Sequence, residues 1–135
     1  MNIYDLPALP LAEERTDILA TISRARGGDA GGEVGACCET GAGTGTGACS
    51  GEAHLCHTND VRIERIVSTG QVSGWYDQDE TEFVALLEGT AVIEYDSGRR
   101  VEMHKGDTLL IQPRERHKVA YTSTAPPCIW LCVFY

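Results

Sequence analysis

The chain is 135 residues long, with 20 acidic against 11 basic side chains, six cysteines and a formal net charge of −9. This length supports one folded unit with a modest core, and the charge repels a nucleic-acid backbone or an anionic membrane surface. The opening residues MNIYDLPALPLAEERTDIL put acids and prolines where a secretion signal has an apolar run. Nothing approaches the ~20 apolar residues of a membrane-spanning helix, so a cytoplasmic protein without nucleic-acid or membrane partners is expected.

Composition divides the chain into three parts. Residues 1–26 form an N-terminal extension in which AEERTDILATISR spaces Ile18, Leu19 and Ile22 as on one helix face, with acids in the first turn; this pattern predicts a short helix. Residues 27–57 hold ten of the fifteen glycines, between Gly27 and Gly51, interleaved with Ala, Thr and Cys. Such a stretch offers too little apolar surface to offset its ordering entropy, which predicts a flexible loop or insertion. Within it Cys37, Cys38, Cys49, His54, Cys56 and His57 are soft ligands whose spacing matches no closed zinc module, although a thiol-rich loop can still capture a metal.

Residues 58–135 change to short β-type runs separated by turn signals: VRIERIV, EFVALLEG, TAVIEYD, RRVEMHK, DTLLIQ, HKVAYTS and CIWLCVFY. Asp96, Ser97 and Gly98 mark one hairpin turn, and Lys105, Gly106 and Asp107 another. The pattern predicts an all-β barrel or sandwich. Cys128 and Cys132, four residues apart on one strand, stand about 13 Å from each other. That is too far for a disulfide, so they read as small buried hydrophobes.

In GWYDQDETEFVALLEG, residues Tyr76, Gln78, Glu80, Glu82, Val84 and Leu86 share one parity, polar at one end and apolar beyond, as a barrel with a polar mouth and a packed floor requires. In GDTLLIQPRERHKVAY, a turn at Gly106 opens an apolar strand, Pro113 ends it, and His117, Val119 and Tyr121 then share a face. These two segments resemble the motifs of the RmlC-like cupin superfamily, G-x5-H-x-H-x3,4-E-x6-G and G-x5-P-x-G-x2-H-x3-N. Aligned on Glu82 and Gly89, the histidine positions of the first motif fall on Tyr76 and Gln78. In the second, Gly106 and His117 keep their separation, while the proline and glycine positions fall on Gln112 and Arg114.

The resemblance covers residues 61–135 and implies a double-stranded β-helix, a jelly-roll-like cupin barrel. It also implies a small-molecule partner at the barrel mouth, and a homodimer formed through the outer sheet. Metal-binding cupins use the two histidines and glutamate of the first motif with the histidine of the second. Carried over, the metal positions here are Gln78, Glu82 and His117, with Tyr76 beside them, a set that suits a divalent Mn or Fe(II) better than zinc.

Three further readings concern single residues. Glu82 heads an apolar strand, so burial would raise its pKa and suit it to proton transfer. Arg65 is in phase with Val61 and Ile63, so it either lines the pocket as an anion anchor, forms a structural ion pair, or marks a bulge. Trp75, Tyr121 and Trp130 are aromatic enough to wall a ligand site, though core packing explains most such residues, and His104 reads as solvent-facing.

Three functions follow as expectations. The first is a cupin that binds a small polar ligand with Tyr76, Gln78, Arg65 and Tyr121 around Glu82 and His117. The second is an enzyme, either a metal-dependent oxygenase or a metal-free isomerase or epimerase in which His117 is the base and Tyr76 or Glu82 the acid. The third is an interaction or metal-binding protein acting through the Cys-rich loop.

Overall fold

The structure, a computed structural model, describes residues 1–23 and 60–135. The predicted Gly/Cys-rich insertion and its candidate ligands fall outside the described residues. Eight strands are present: β1 Glu14–Ser23, β2 Asp60–Ser68, β3 Glu82–Glu88, β4 Thr90–Tyr95, β5 Arg100–His104, β6 Thr108–Ile111, β7 His117–Thr122 and β8 Cys128–Phe134. They form two antiparallel sheets, of order β1-β2-β8-β3-β6 and β5-β4-β7. The core lies between the sheets and includes Leu86, Ile93, Met103, Ile111, Trp130 and Phe134.

Strands β2 to β8 follow from alternation. On β3, Glu82, Val84 and Leu86 are buried while Phe83 is exposed, which is the period of two that one covered face imposes. Turns sit where glycine permits them: Gly98 takes φ 85° in the β4–β5 hairpin and Gly106 takes φ 93° between β5 and β6. Gly89 is constrained twice, since its φ is 86° and an added Cβ would lie 2.9 Å from the Cys128 backbone. The motif glycine therefore marks a close approach of two strands.

Residues 14–23 are a strand, not the predicted helix. β2 exposes an open edge, and β1 satisfies it by antiparallel pairing over its whole length, with a bulge between Ile18 and Ala20. The register puts Asp17 opposite Arg65, and the two form an ion pair at 2.5 Å. Arg65 is 4% exposed and also donates to the backbone carbonyls of Asn2, Ile3 and Asp5. It thereby fastens the first residues over the outer face of the sheet.

Arg65→Leu strips those three carbonyls of a charged donor, and the expected cost is about 2 kcal/mol or more. Urea unfolding should show a lower midpoint, and limited proteolysis should cut residues 1–10 first.

Candidate functional site

One cavity of about 330 Å³ opens between the sheets, its walls drawn from β1, β2, β3, β4, β6, β7 and β8 and the segment before β3. Strand register explains its lining. Across the large sheet Arg62 pairs with Phe134, and Phe134 with Glu82. Glu64 lies opposite Cys132 and Cys132 opposite Val84; Ile66 lies opposite Trp130 and Trp130 opposite Leu86. Alternation sends these rows to the same face, so a polar and aromatic mouth grades into an apolar interior.

His117 begins β7 where an isolated backbone bridge ties it to Tyr76, with Tyr76 N–H donating to His117 O at 2.7 Å. Its imidazole is 3% exposed. Nδ1 stands 2.8 Å from the Glu115 carbonyl oxygen. A carbonyl only accepts, so Nδ1 carries the proton and, in the neutral ring, Nε2 keeps a lone pair. That nitrogen lies 3.8 Å from Glu82 Oε2, beyond hydrogen-bond reach.

Glu82 is 8% exposed. Gln78 Nε2 donates to its Oε2 at 2.9 Å, and the Cys132 thiol also donates to it. Burial raises the Glu82 pKa above its ordinary value. The Gln78 bond, the neighbouring His117 and the Cys132 bond oppose that rise, and the Glu64 carboxylate adds to it. Burial also pushes the Tyr76 phenol up, so it stays protonated at the mouth, where its ring centroid is 5.5 Å from that of His117.

The loop between β6 and β7 that presents His117 contains Arg114 at φ 63°, in the left-handed region where glycine rests without strain. Its N–H donates to Gln78 O at 2.7 Å, and its guanidinium meets Asp77 and Asp79 at 3.0 and 3.3 Å. These contacts couple the segment carrying Gln78 to the loop carrying His117. They hold an arginine at the glycine position of the second motif.

Tyr76, Gln78, Glu82 and His117 thus converge on the cavity, while Arg65 and Tyr121 do not line it. Arg65 lies on the opposite face of β2 from Arg62 and Glu64, in its ion pair with Asp17. Tyr121 is displaced by a bulge in β7: Ile93 pairs with Val119 but Val92 with Tyr121, so Tyr121 turns outward, 50% exposed, beside a shallow depression shared with Glu102 and His104. Arg62, Glu64 and Phe134 were not singled out in the sequence, and Cys132 was read there only as a small buried hydrophobe. Their shared parity on VRIERIV and CIWLCVFY is the signal that finds them.

The expected Mn or Fe(II) site is not matched by this donor set. Tyr76 and Gln78 stand where metal-binding cupins have histidines, which leaves one imidazole and one carboxylate. Gln78 presents its N–H, not its oxygen, to Glu82, because two facing acceptors would repel. Among the described residues, no group of three or more His, Cys, Asp or Glu side chains is arranged to hold a metal ion. Likewise no helix among them is long and apolar enough to cross a membrane.

Because folded Glu82 binds its proton more tightly than the unfolded chain does, its contribution to stability is complete below the unfolded pKa and is lost as pH rises through the folded one. Glu82→Gln, neutral throughout, should therefore gain on the wild type with rising pH. Thermal melts from about pH 4 to about pH 8 should show the variant's Tm climbing by several degrees relative to the wild type; a constant difference would mean that Glu82 is not held in a desolvated site.

Comparison with known proteins accords with this geometry. A family model described as "Cupin domain" matches residues 64–134. Among solved structures, a "putative mannose-6-phosphate isomerase" of Ralstonia eutropha JMP134 is 26% identical, with a TM-score of 0.63, over 99% of this chain and 94% of its own. A cupin superfamily protein of Desulfitobacterium hafniense DCB-2 is 17% identical with a TM-score of 0.50, over 55% of this chain and 65%, just under two thirds, of its own. A search of curated proteins finds no match. With its two antiparallel sheets and more than half of its length matched, the chain belongs to the cupin domain family.

Proposed function

We propose that this cupin binds a small polar molecule in the 330 Å³ cavity and moves a proton on it without a metal ion, as an isomerase or epimerase does. One observation carries the reading: a buried imidazole whose Nδ1 is turned to the Glu115 carbonyl, so that its neutral form leaves Nε2 bare, stands beside a buried carboxyl whose pKa is raised, both lining the same cavity. A base and an acid of this kind, held apart and shielded from bulk water, suit removal of a proton from a carbon next to a carbonyl. His117 Nε2 takes the C–H proton, the electron pair moves into the carbonyl, and protonated Glu82 delivers a proton to the carbonyl oxygen, giving an enediol. His117 then returns its proton to the neighbouring carbon while the hydroxyl proton on the enediol's other oxygen passes back to Glu82, so both groups are reset and the carbonyl has moved by one carbon. Tyr76, protonated at the mouth, supplies a further donor. The 26% identity to a protein bearing an isomerase name supports the class of reaction without fixing the substrate.

Incubation of small aldoses and ketoses with the protein in D2O, followed by proton NMR, tests the reading. Deuterium should enter at the carbon next to the carbonyl, at a rate that EDTA leaves unchanged and that His117→Ala lowers by at least about 100-fold. Exchange that survives His117→Ala, stops with EDTA, or is absent for every sugar would contradict it.

A further inference from the structure

Hydrogen-bond bookkeeping around the cavity shows an imbalance. Apart from the Tyr76 hydroxyl at the mouth, its nitrogen and sulfur donors are largely engaged. Gln78 Nε2 and the Cys132 thiol donate to Glu82, His117 Nδ1–H to the Glu115 carbonyl, and Trp130 Nε1 to Ser68 Oγ at 3.1 Å. Arg62 is the one lysine or arginine in the wall among the described residues, and its charge is spoken for. Its Nε donates to Glu64 at 2.6 Å, its two terminal nitrogens face Glu80 at 3.1 and 3.4 Å, and its plane lies 4.3 Å from the Phe134 ring centroid.

Most of the unused capacity is of the other kind. His117 Nε2, on a side chain only 4% exposed, opens on the cavity and has no hydrogen bond among the described residues. Glu64 is bonded through Oε1, leaving Oε2 without a hydrogen bond among them, and its side chain is 13% exposed. Glu14 adds a carboxylate to the wall whose one side-chain bond, from Ser68, is long at 3.4 Å. A phosphate ester offers only acceptors and negative charge to such a surface, whereas an ammonium group brings three donors and the complementary charge.

We propose that the cavity takes a small amine-bearing polyol, of amino-sugar type, and rejects sugar phosphates. The inference rests on the reading of the cavity as a ligand site and names its ligand class. It departs from the substrate in the name borne by the 26% identical structure, because the wall lacks an unengaged cation to hold a phosphate.

The test is calorimetric titration of the wild-type protein at neutral pH with three matched probes: D-mannose, D-mannosamine and D-mannose 6-phosphate. Mannosamine should bind at least about tenfold more tightly than mannose, and the phosphate should not bind. Glu64→Gln should shrink the preference for the amine while the phosphate stays excluded, because Glu80 still holds the terminal nitrogens of Arg62. Tighter binding of the phosphate, equal binding of mannose and mannosamine, or binding of none of the three overturns the proposal. If the preference fails while His117-dependent deuterium exchange persists, only the ligand class is wrong; loss of that exchange with the preference intact overturns the proton-transfer reading instead.

Discussion

The site depends on the register of β2 against β8 and of β8 against β3. Side chains on a strand alternate, so a slip of one residue in either pairing would turn Arg62 or Glu82 to the face opposite Phe134. With the register as it is, three strands present one row of guanidinium, ring and carboxylate at the mouth, and rows of Glu64, Cys132 and Val84, then Ile66, Trp130 and Leu86, behind it. Burial of Glu82, engagement of Arg62 and contact of Cys132 with the carboxylate follow from that alignment. The pairing of β1 with β2 extends it, because Asp17 meets Arg65 in the same register.

Much of this was legible in the sequence, and the exceptions have physical causes. Seven strand runs were readable because β2 to β8 alternate and are divided by turn residues. β1 was misread as a helix because its bulge at Leu19 breaks the period of two, leaving Ile18, Leu19 and Ile22 in a spacing that a helix also produces. A second bulge, in β7, displaced Tyr121 from the face of His117 and Val119. Neither bulge has a glycine or proline to announce it.

Arg65 shows a different ambiguity. The first residues cover the outer face of β2, so that strand is enclosed on both sides and apolar parity does not say which face is the cavity. Val61 and Ile63 suggested one face; Arg62, Glu64 and Ile66 line the cavity on the other. At the site, motif spacing located Tyr76, Gln78, Glu82 and His117. The chemistry depends instead on which nitrogen of His117 bears the proton and on which donors are already occupied, and these are properties of the folded backbone around Glu115 and of the Arg62–Glu64–Glu80 contacts.

The proposed proton transfer turns on one atom, His117 Nε2 facing Glu82. Two-bond proton–nitrogen correlation NMR on protein labelled with nitrogen-15 at histidine, recorded where the ring is neutral, reads it directly. The predicted spectrum has Nδ1 protonated and Nε2 bare, with the Nε2 resonance moving in Glu82→Gln. A neutral ring carrying its proton on Nε2 would contradict the assignment of His117 as the base.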